Sequence, residues 1–343
     1  MFEGPLDVVG DIHGEIDALH GLLRELGYDR LGRHPAGRRL VFVGDLVDRG
    51  PDSPAVVEFV AQLVQQGLAQ CLLGNHELNL LRTAKKSGNA WFLDARHAEQ
   101  APDGEFAHSR LAPSGFHEQA LAFFAELPLG LERADLRVVH AAWVPRAIDD
   151  VRALTLPAAA AYRFFDQQSQ AAITDADLPA RAAAERALWH AAIHDRHASP
   201  PLLEAVGLLD ERHQMGNPLR VLTSGVERVA RAPFWASGQW RMVDRVRWWE
   251  EYTDATPVIV GHYWRRLKPL RATGHAASKP DWFGDIAPLA WLGPLKNVFC
   301  VDYSVGGRYE ERKQGVRKYA TRLCAMRWPE REVWGEQGRV VGA

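Results

Sequence analysis

Cysteine is scarce. Cys71, Cys300 and Cys324 are the only three in 343 residues, and no two share the CxxC spacing of a metal finger. That excludes a disulfide scaffold and a cysteine–zinc cluster, and it reads as buried thiols in a reducing compartment, the cytoplasm. Long hydrophobic runs are missing too. None approaches the roughly 18 residues that a membrane span needs, so no membrane partner is expected. The amino terminus carries Glu3 and Asp7 where a secretory leader would be basic. Nor is there a surplus of positive charge. With 41 Lys and Arg against 43 Asp and Glu, generic nucleic-acid binding is not expected. The basic residues from Arg308 to Arg339 read as a solvated face of the last strands. No internal repeat or low-complexity tract breaks an otherwise globular composition.

What is present is concentrated in three short segments. They read Gly10-Asp11-Ile12-His13-Gly14, Gly44-Asp45-Leu46-Val47-Asp48-Arg49-Gly50 and Gly74-Asn75-His76-Glu77. An apolar run precedes each: Val8-Val9, Leu40-Val41-Phe42-Val43 and Cys71-Leu72-Leu73. That is the pattern of a buried parallel strand ending in a polar turn, and open α/β sheets bind ligands at the carboxyl ends of their strands.

Between the motifs, a 3.6-residue stripe of Ile16, Leu19, Leu22, Leu23 and Leu26 predicts a helix closed by Gly27. Ser53 reads as the N-cap of a second helix, with Pro54 at its first position and its end near Gly67. Lys85 to Gly115 is polar and irregular and predicts a loop. A helix from His117 to Leu127 and a strand Leu136–Val139 ending in His140 follow. Pro157 to His197 is alanine-rich and helical, and Leu219-Arg220-Val221-Leu222 reads as the next strand. Pro145 to Thr256 is therefore expected to be a helical cap insertion within one domain spanning 1–343. Val258-Ile259-Val260 then leads to Gly261-His262. Val298 to Asp302 and Tyr319 to Trp328 read as final strands.

The side chains at the strand ends form a metal-ligand inventory. Asp11 and His13, two apart across a turn, can reach one ion, and Asp45 can bridge two. Asn75 offers an amide oxygen, while His140 and His262 each offer a ring nitrogen. Two ions about 3.5–4 Å apart would trap a hydroxide for in-line attack on phosphorus and clamp the phosphate oxygens. His76, beside Asn75, is the natural general acid, and Asp48 could hold its ring in one tautomer. Arg49 supplies a planar fork for phosphate oxygens. The mixed oxygen and nitrogen set fits manganese, iron, zinc, cobalt or nickel, and availability decides among them; manganese is the first expectation.

These motifs resemble the calcineurin-like metallophosphoesterases, in particular the branch of phosphoprotein phosphatases and symmetrical diadenosine tetraphosphate hydrolases. The resemblance implies an α/β fold of two packed mixed β-sheets flanked by helices. It implies one ion on Asp11, His13 and Asp45 and a second on Asp45, Asn75, His140 and His262. His76 and Asp48 would then be the proton-donating pair, with Arg49 on phosphate. Where the phosphatases follow the late histidine with two glycines, this chain has Ala141-Ala142-Trp143. After the final Gly-His they carry Thr, and here Tyr263-Trp264 follow. The Cys300–Gly307 and Leu323–Trp328 stretches are more similar to the diadenosine hydrolases.

Of 12 tryptophans only Trp91 precedes His140. Trp143 and Trp264 stand within three residues of expected ligands, where they would either stack on a nucleobase or fill the core between sheets. Arg245 and Arg247 lie in a stretch that alternates like a strand and face either a second phosphate or solvent. The expected substrate is a small nucleotide phosphoanhydride such as diadenosine tetraphosphate. The alternatives are a serine/threonine phosphoprotein and, least supported by a complete ligand set, a catalytically silent binding protein.

Overall fold

The valine- and leucine-rich runs ahead of the three motifs become adjacent parallel strands, which is what brings the motifs to one edge. A computed structural model describes residues 1–84, 86, 88–92, 109–173, 177–236, 238–267 and 282–341. The chain divides into two compact units: Met1–Ala141 with Tyr252–Lys268 and Ile286–Ala343, and Ala142–Glu251 with Pro269–Asp285.

In the first unit β1 (Leu6–Val9) pairs in parallel with β2 (Arg39–Phe42), and β2 with β3 (Ala69–Cys71). The crossovers are α1 (Ile16–Leu26) and α2 (Ser53–Gln65). Helix α1 stops at Gly27, whose left-handed φ of 93° lets its N–H reach Arg24 O. The N-cap of α2 is not Ser53, as its sequence predicts, but Asp52, whose side chain accepts the Ala55 N–H at 2.9 Å. Ser53 is drawn elsewhere: its Oγ accepts the buried Asp48 N–H. Helix α3 (Asn75–Leu81) begins inside the third motif, and α4 (Phe116–Ala125) precedes the hairpin of β4 (Gly130–Arg133) and β5 (Leu136–Val139). Most of the expected 85–115 loop, residues 93–108, lies outside the described residues.

The second unit begins with α5 (Pro145–Arg152), α6 (Ala158–Ala171) and α7 (Asp177–Leu188), followed by α8 (Glu204–Met215). The strand expected at Leu219–Leu222 is instead helix α9 (Pro218–Ser224). Asn217 caps it by accepting the Leu219 N–H, and Pro218 occupies its first turn, so local capping chemistry overrides the short apolar run. The strands of this unit are β6 (Glu227–Ala236) and β7 (Gln239–Arg245), an antiparallel ribbon. The alternating stretch that begins at Arg245 does not continue as strand; Trp248–Glu251 is a 3-10 turn. Leu178, Leu203, Val206, Leu209 and Met242 form the core of the unit.

The chain returns to the first unit with β8 (Val258–Val260) and β9 (Val298–Cys300), then α10 (Arg308–Lys313). It closes with β10 (Cys324–Trp328), β11 (Glu332–Gly335) and β12 (Gly338–Arg339). One sheet has the order β12-β11-β10-β1-β2-β3 and the second β4-β5-β8-β9. Val8, Val41, Val43 and Met326 from the first pack with Val138, Ile259 and Phe299 from the second, which makes a two-sheet core. The basic tail is solvated only in part, with Lys313, Arg317, Lys318, Arg331 and Arg339 exposed. Arg308 is 4% exposed and bonded to Glu336, and Arg327 pairs with buried Asp7.

Candidate metal centre

The expected ligands and the expected acid follow strands' carboxyl ends: Asp11 and His13 after β1, Asp45 after β2, ligand Asn75 and acid His76 after β3, His140 after β5 and His262 after β8. The turns that carry them are unusual backbone. His13, Asp45, Asp48, Arg49 and His262 have φ of 48, 50, 73, 72 and 70°, the left-handed region that non-glycine residues enter at a cost of about 1–3 kcal/mol. Gly261 precedes His262 because nothing larger fits: a Cβ there would run into Asp11 Oδ1. In its absence the His262 N–H reaches both Asp11 oxygens at 3.1 Å.

Buried Asp45 is the hub. Its Oδ2 lies 3.4 Å from His140 Nε2, 3.8 Å from His13 Nε2 and 3.9 Å from His76 Nε2. His140 Nε2 is also 3.3 Å from Asn75 Oδ1. Two donor groups thus share Asp45: one with His13 and His76, one with His140 and His262, with the donor atoms of each within 4.8 Å of one another. Atoms each about 2.1 Å from a common ion lie roughly 3–3.4 Å apart, so modest closure of His13 on Asp45, or of His140 and His262 on Asp45, would bring them to ligand spacing.

Hydrogen bonds on the far ring nitrogens orient three of these histidines. His13 Nδ1 bonds to Val47 O at 2.9 Å, His140 Nδ1 to Val43 O at 2.8 Å and His76 Nδ1 to Asp48 Oδ2 at 2.5 Å. Each ring turns its Nε2 to the centre, as metal-binding histidines do. Burial, Arg49 and His76 push His13 well below the ordinary imidazole range, so it is neutral and able to coordinate. Burial works against charge on His140, but Asp45 and Asp11 pull it up to about 10. Burial and neighbouring Asp302 raise Asp11 well above the carboxylate range. Crowded, buried carboxylates of this kind call for a cation. The oxygen and nitrogen donor set therefore fits divalent metal ions.

Arg49 lies beside the first donor group, its two terminal nitrogens 3.4 Å from His13 Nε2 and 3.3 Å from His76 Nε2. The guanidinium is 4.8 Å from the Trp264 ring centroid. Trp143 falls in the second unit, where it is buried. Arg245 pairs there with Glu227, and Arg247 with Asp285.

Three residues that sequence reasoning left without a role belong to this centre. Glu77, held at about 7 by burial and Asp45, accepts the N–H groups of Asp45, Leu46 and Gly74 and so fixes two motif turns together. Its place in Gly74-Asn75-His76-Glu77 was the available signal. Asp302 accepts the Trp264 and Ser304 N–H groups, and burial holds it at about 6. It follows β9 as the expected ligands follow their strands. Trp91 Nε1 donates to Asp48 Oδ1 at 2.5 Å, a contact that no local pattern announces.

The chain is 33% identical over 140 residues to the asymmetrical bis(5'-nucleosyl)-tetraphosphatase PrpE of Oceanobacillus iheyensis, covering 40% of this chain and 54% of the relative. It is 35% identical over 141 residues to the protein of the same name from Bacillus subtilis, covering 39% and 56%. The chain thus spans about half the length of the curated relatives it matches. A solved structure described as a putative diadenosine tetraphosphatase aligns over 97% of this chain and 92% of its own, at 18% identity and a TM-score of 0.42. Residues 4–201, more than half of the chain, match the calcineurin-like phosphoesterase family, and the chain belongs to that family.

Proposed function

We propose that the protein is a dinuclear, metal-dependent phosphohydrolase acting on nucleotide phosphoanhydrides, of which diadenosine tetraphosphate is the type. The observation that carries this reading is the convergence of three imidazole Nε2 atoms on Asp45 Oδ2 with the Arg49 fork beside them. Asp11, His13, Asp45, Asn75, His140 and His262 would hold the ions; the donors suit manganese, iron, zinc, cobalt or nickel, and availability decides among them. Two bound ions supply Lewis-acid activation of water and charge neutralisation at phosphorus.

The chain's own groups do the rest. Arg49 offers parallel N–H donors to phosphate oxygens, and its contact with Trp264 limits how the fork can turn. His76 presents Nε2 to the departing oxygen. Burial opposes its charge, but Asp45 and the Asp48 hydrogen bond raise its ring above the ordinary imidazole range, which favours the proton-carrying form an acid needs. The nucleotide part of the reading comes from the relatives' printed name. Substrate choice is assigned to the 145–256 insertion, and a cytoplasmic location is supported by the three buried free thiols.

The test gives manganese-loaded protein diadenosine tetraphosphate and a phosphoserine peptide in one tube. Consumption of the dinucleotide is the expected result. Its products tell the point of cleavage: ATP and AMP for the asymmetrical reaction of the relatives' name, two ADP for the symmetrical one. Phosphate from the peptide with the dinucleotide untouched would move the protein to the phosphatases. Turnover of neither would leave a binding protein.

A further inference from the structure

Asp48 has two carboxylate oxygens, and both are committed. Oδ2 lies 2.5 Å from His76 Nδ1, and Oδ1 accepts the Trp91 indole N–H at 2.5 Å. The backbone of Asp48 is pinned as well, at φ 73° with its N–H on Ser53 Oγ. Trp91 itself has little freedom. It is 2% exposed, and its ring makes edge contacts with Phe92 at 5.3 Å and Phe116 at 6.1 Å. Its carbonyl accepts the Ala112 N–H at 2.8 Å. The indole thus anchors a short relay, Trp91–Asp48–His76, whose far end is the Nε2 that faces Asp45 and Arg49.

We propose that Trp91 is a positioning residue for proton donation: its N–H fixes the Asp48 carboxylate, which aims the His76 ring at the departing oxygen. The inference rests on the hydrolase reading and deepens it. In the step concerned, water oxygen forms the new bond to phosphorus and the bond from phosphorus to the leaving oxygen breaks. That oxygen takes the His76 Nε2 proton, and the proton shed by the attacking water restores it. A carboxylate with one oxygen released could rotate away from the ring, and the general acid would lose its aim while ligands and phosphate fork kept theirs. A residue acting this way affects the chemical step and not substrate binding. It also affects a substrate only as far as the leaving group needs a proton.

Trp91→Phe keeps an aromatic ring beside Phe92 and Phe116 and removes the N–H, together with part of the indole's volume. In manganese-loaded protein it should lower kcat for phenyl phosphate roughly tenfold to a hundredfold, the usual effect of losing an outer-layer hydrogen bond, with metal content unchanged. KM should stay within about twofold, and the loss with p-nitrophenyl phosphate should be much smaller, because nitrophenolate leaves without help. In an Asp48→Ala background the same change should add less than about twofold. Equal losses on the two esters, or full additivity with Asp48→Ala, would overturn the proposal. A measurement free of turnover accompanies these. The Trp91 indole proton, assigned by its loss in Trp91→Phe or by selective labelling, should resonate well downfield and move upfield in Asp48→Ala. An unmoved resonance overturns the contact even if the Phe variant fails to fold. If the wild-type protein hydrolyses neither ester and leaves diadenosine tetraphosphate untouched, the hydrolase reading falls, while the resonance still decides the Trp91–Asp48 bond.

Discussion

Asp45 concentrates the centre's chemistry in one side chain, because three imidazoles and two backbone N–H groups are arranged around it and Glu77. Asp45→Asn keeps the shape and removes the charge, so both ions should be lost; full metal occupancy by elemental analysis would refute the bridging role. His76→Ala should lower turnover about a hundredfold to ten-thousandfold, the range for a lost general acid, with metal content retained. His140 sets the pH dependence of loading. Its pKa is raised to about 10 by Asp45 and Asp11 against the cost of burial, so the ring carries a proton at pH 8. A metal ion needs the neutral ring, and binding must displace that proton. Calorimetry in buffers of different ionisation heat should therefore show proton release at pH 8. Apparent affinity should climb with pH through neutrality until about pH 10.

At the scale of the element, α2 shows how a helix start serves two purposes. Asp52 caps it through the Ala55 N–H, and Ser53, the residue a capping pattern nominates, supports the active turn by accepting the Asp48 N–H. The two positions should separate experimentally. Asp52→Ala should cost about 1 kcal/mol of stability in a urea titration and leave turnover near normal. Ser53→Ala leaves a buried N–H without its acceptor, at about 1–3 kcal/mol, and should also lower kcat through Asp48. The strand and helix periodicities of the first unit were legible because β1, β2, α1 and α2 each carry their apolar pattern within a dozen residues. Helix α9 was not, since Leu219–Leu222 is too short for periodicity to separate strand from helix and the deciding signal was the Asn217-Pro218 cap.

Across the whole first unit, the chain's two ends are tied by buried charge. Arg308 at the start of α10 bonds to Glu336 and the Thr321 carbonyl and lies 3.8 Å from Glu15, while Arg312 also pairs with Glu15. Arg308→Met would strand buried carboxylates and should destabilise by about 3–5 kcal/mol, read as a fall in the urea midpoint. A loss under about 1 kcal/mol would mean the pairs behave as exposed ones.

The sequence by itself determined the three glycine-led motifs, the family they resemble and the residues that follow β1, β2, β3, β5 and β8, because turn chemistry and strand patterning act over a few neighbouring residues. Only the tertiary structure decided which of those residues meet and what stands behind them. Asp7 faces Arg327, 320 positions away, because β1 and β10 pair with Leu6 opposite Trp328. Arg308 became a buried anchor instead of a solvated charge, and Trp91 found Asp48, for the same reason. Such contacts are set by sheet register and by packing between distant segments, and no local spacing encodes either.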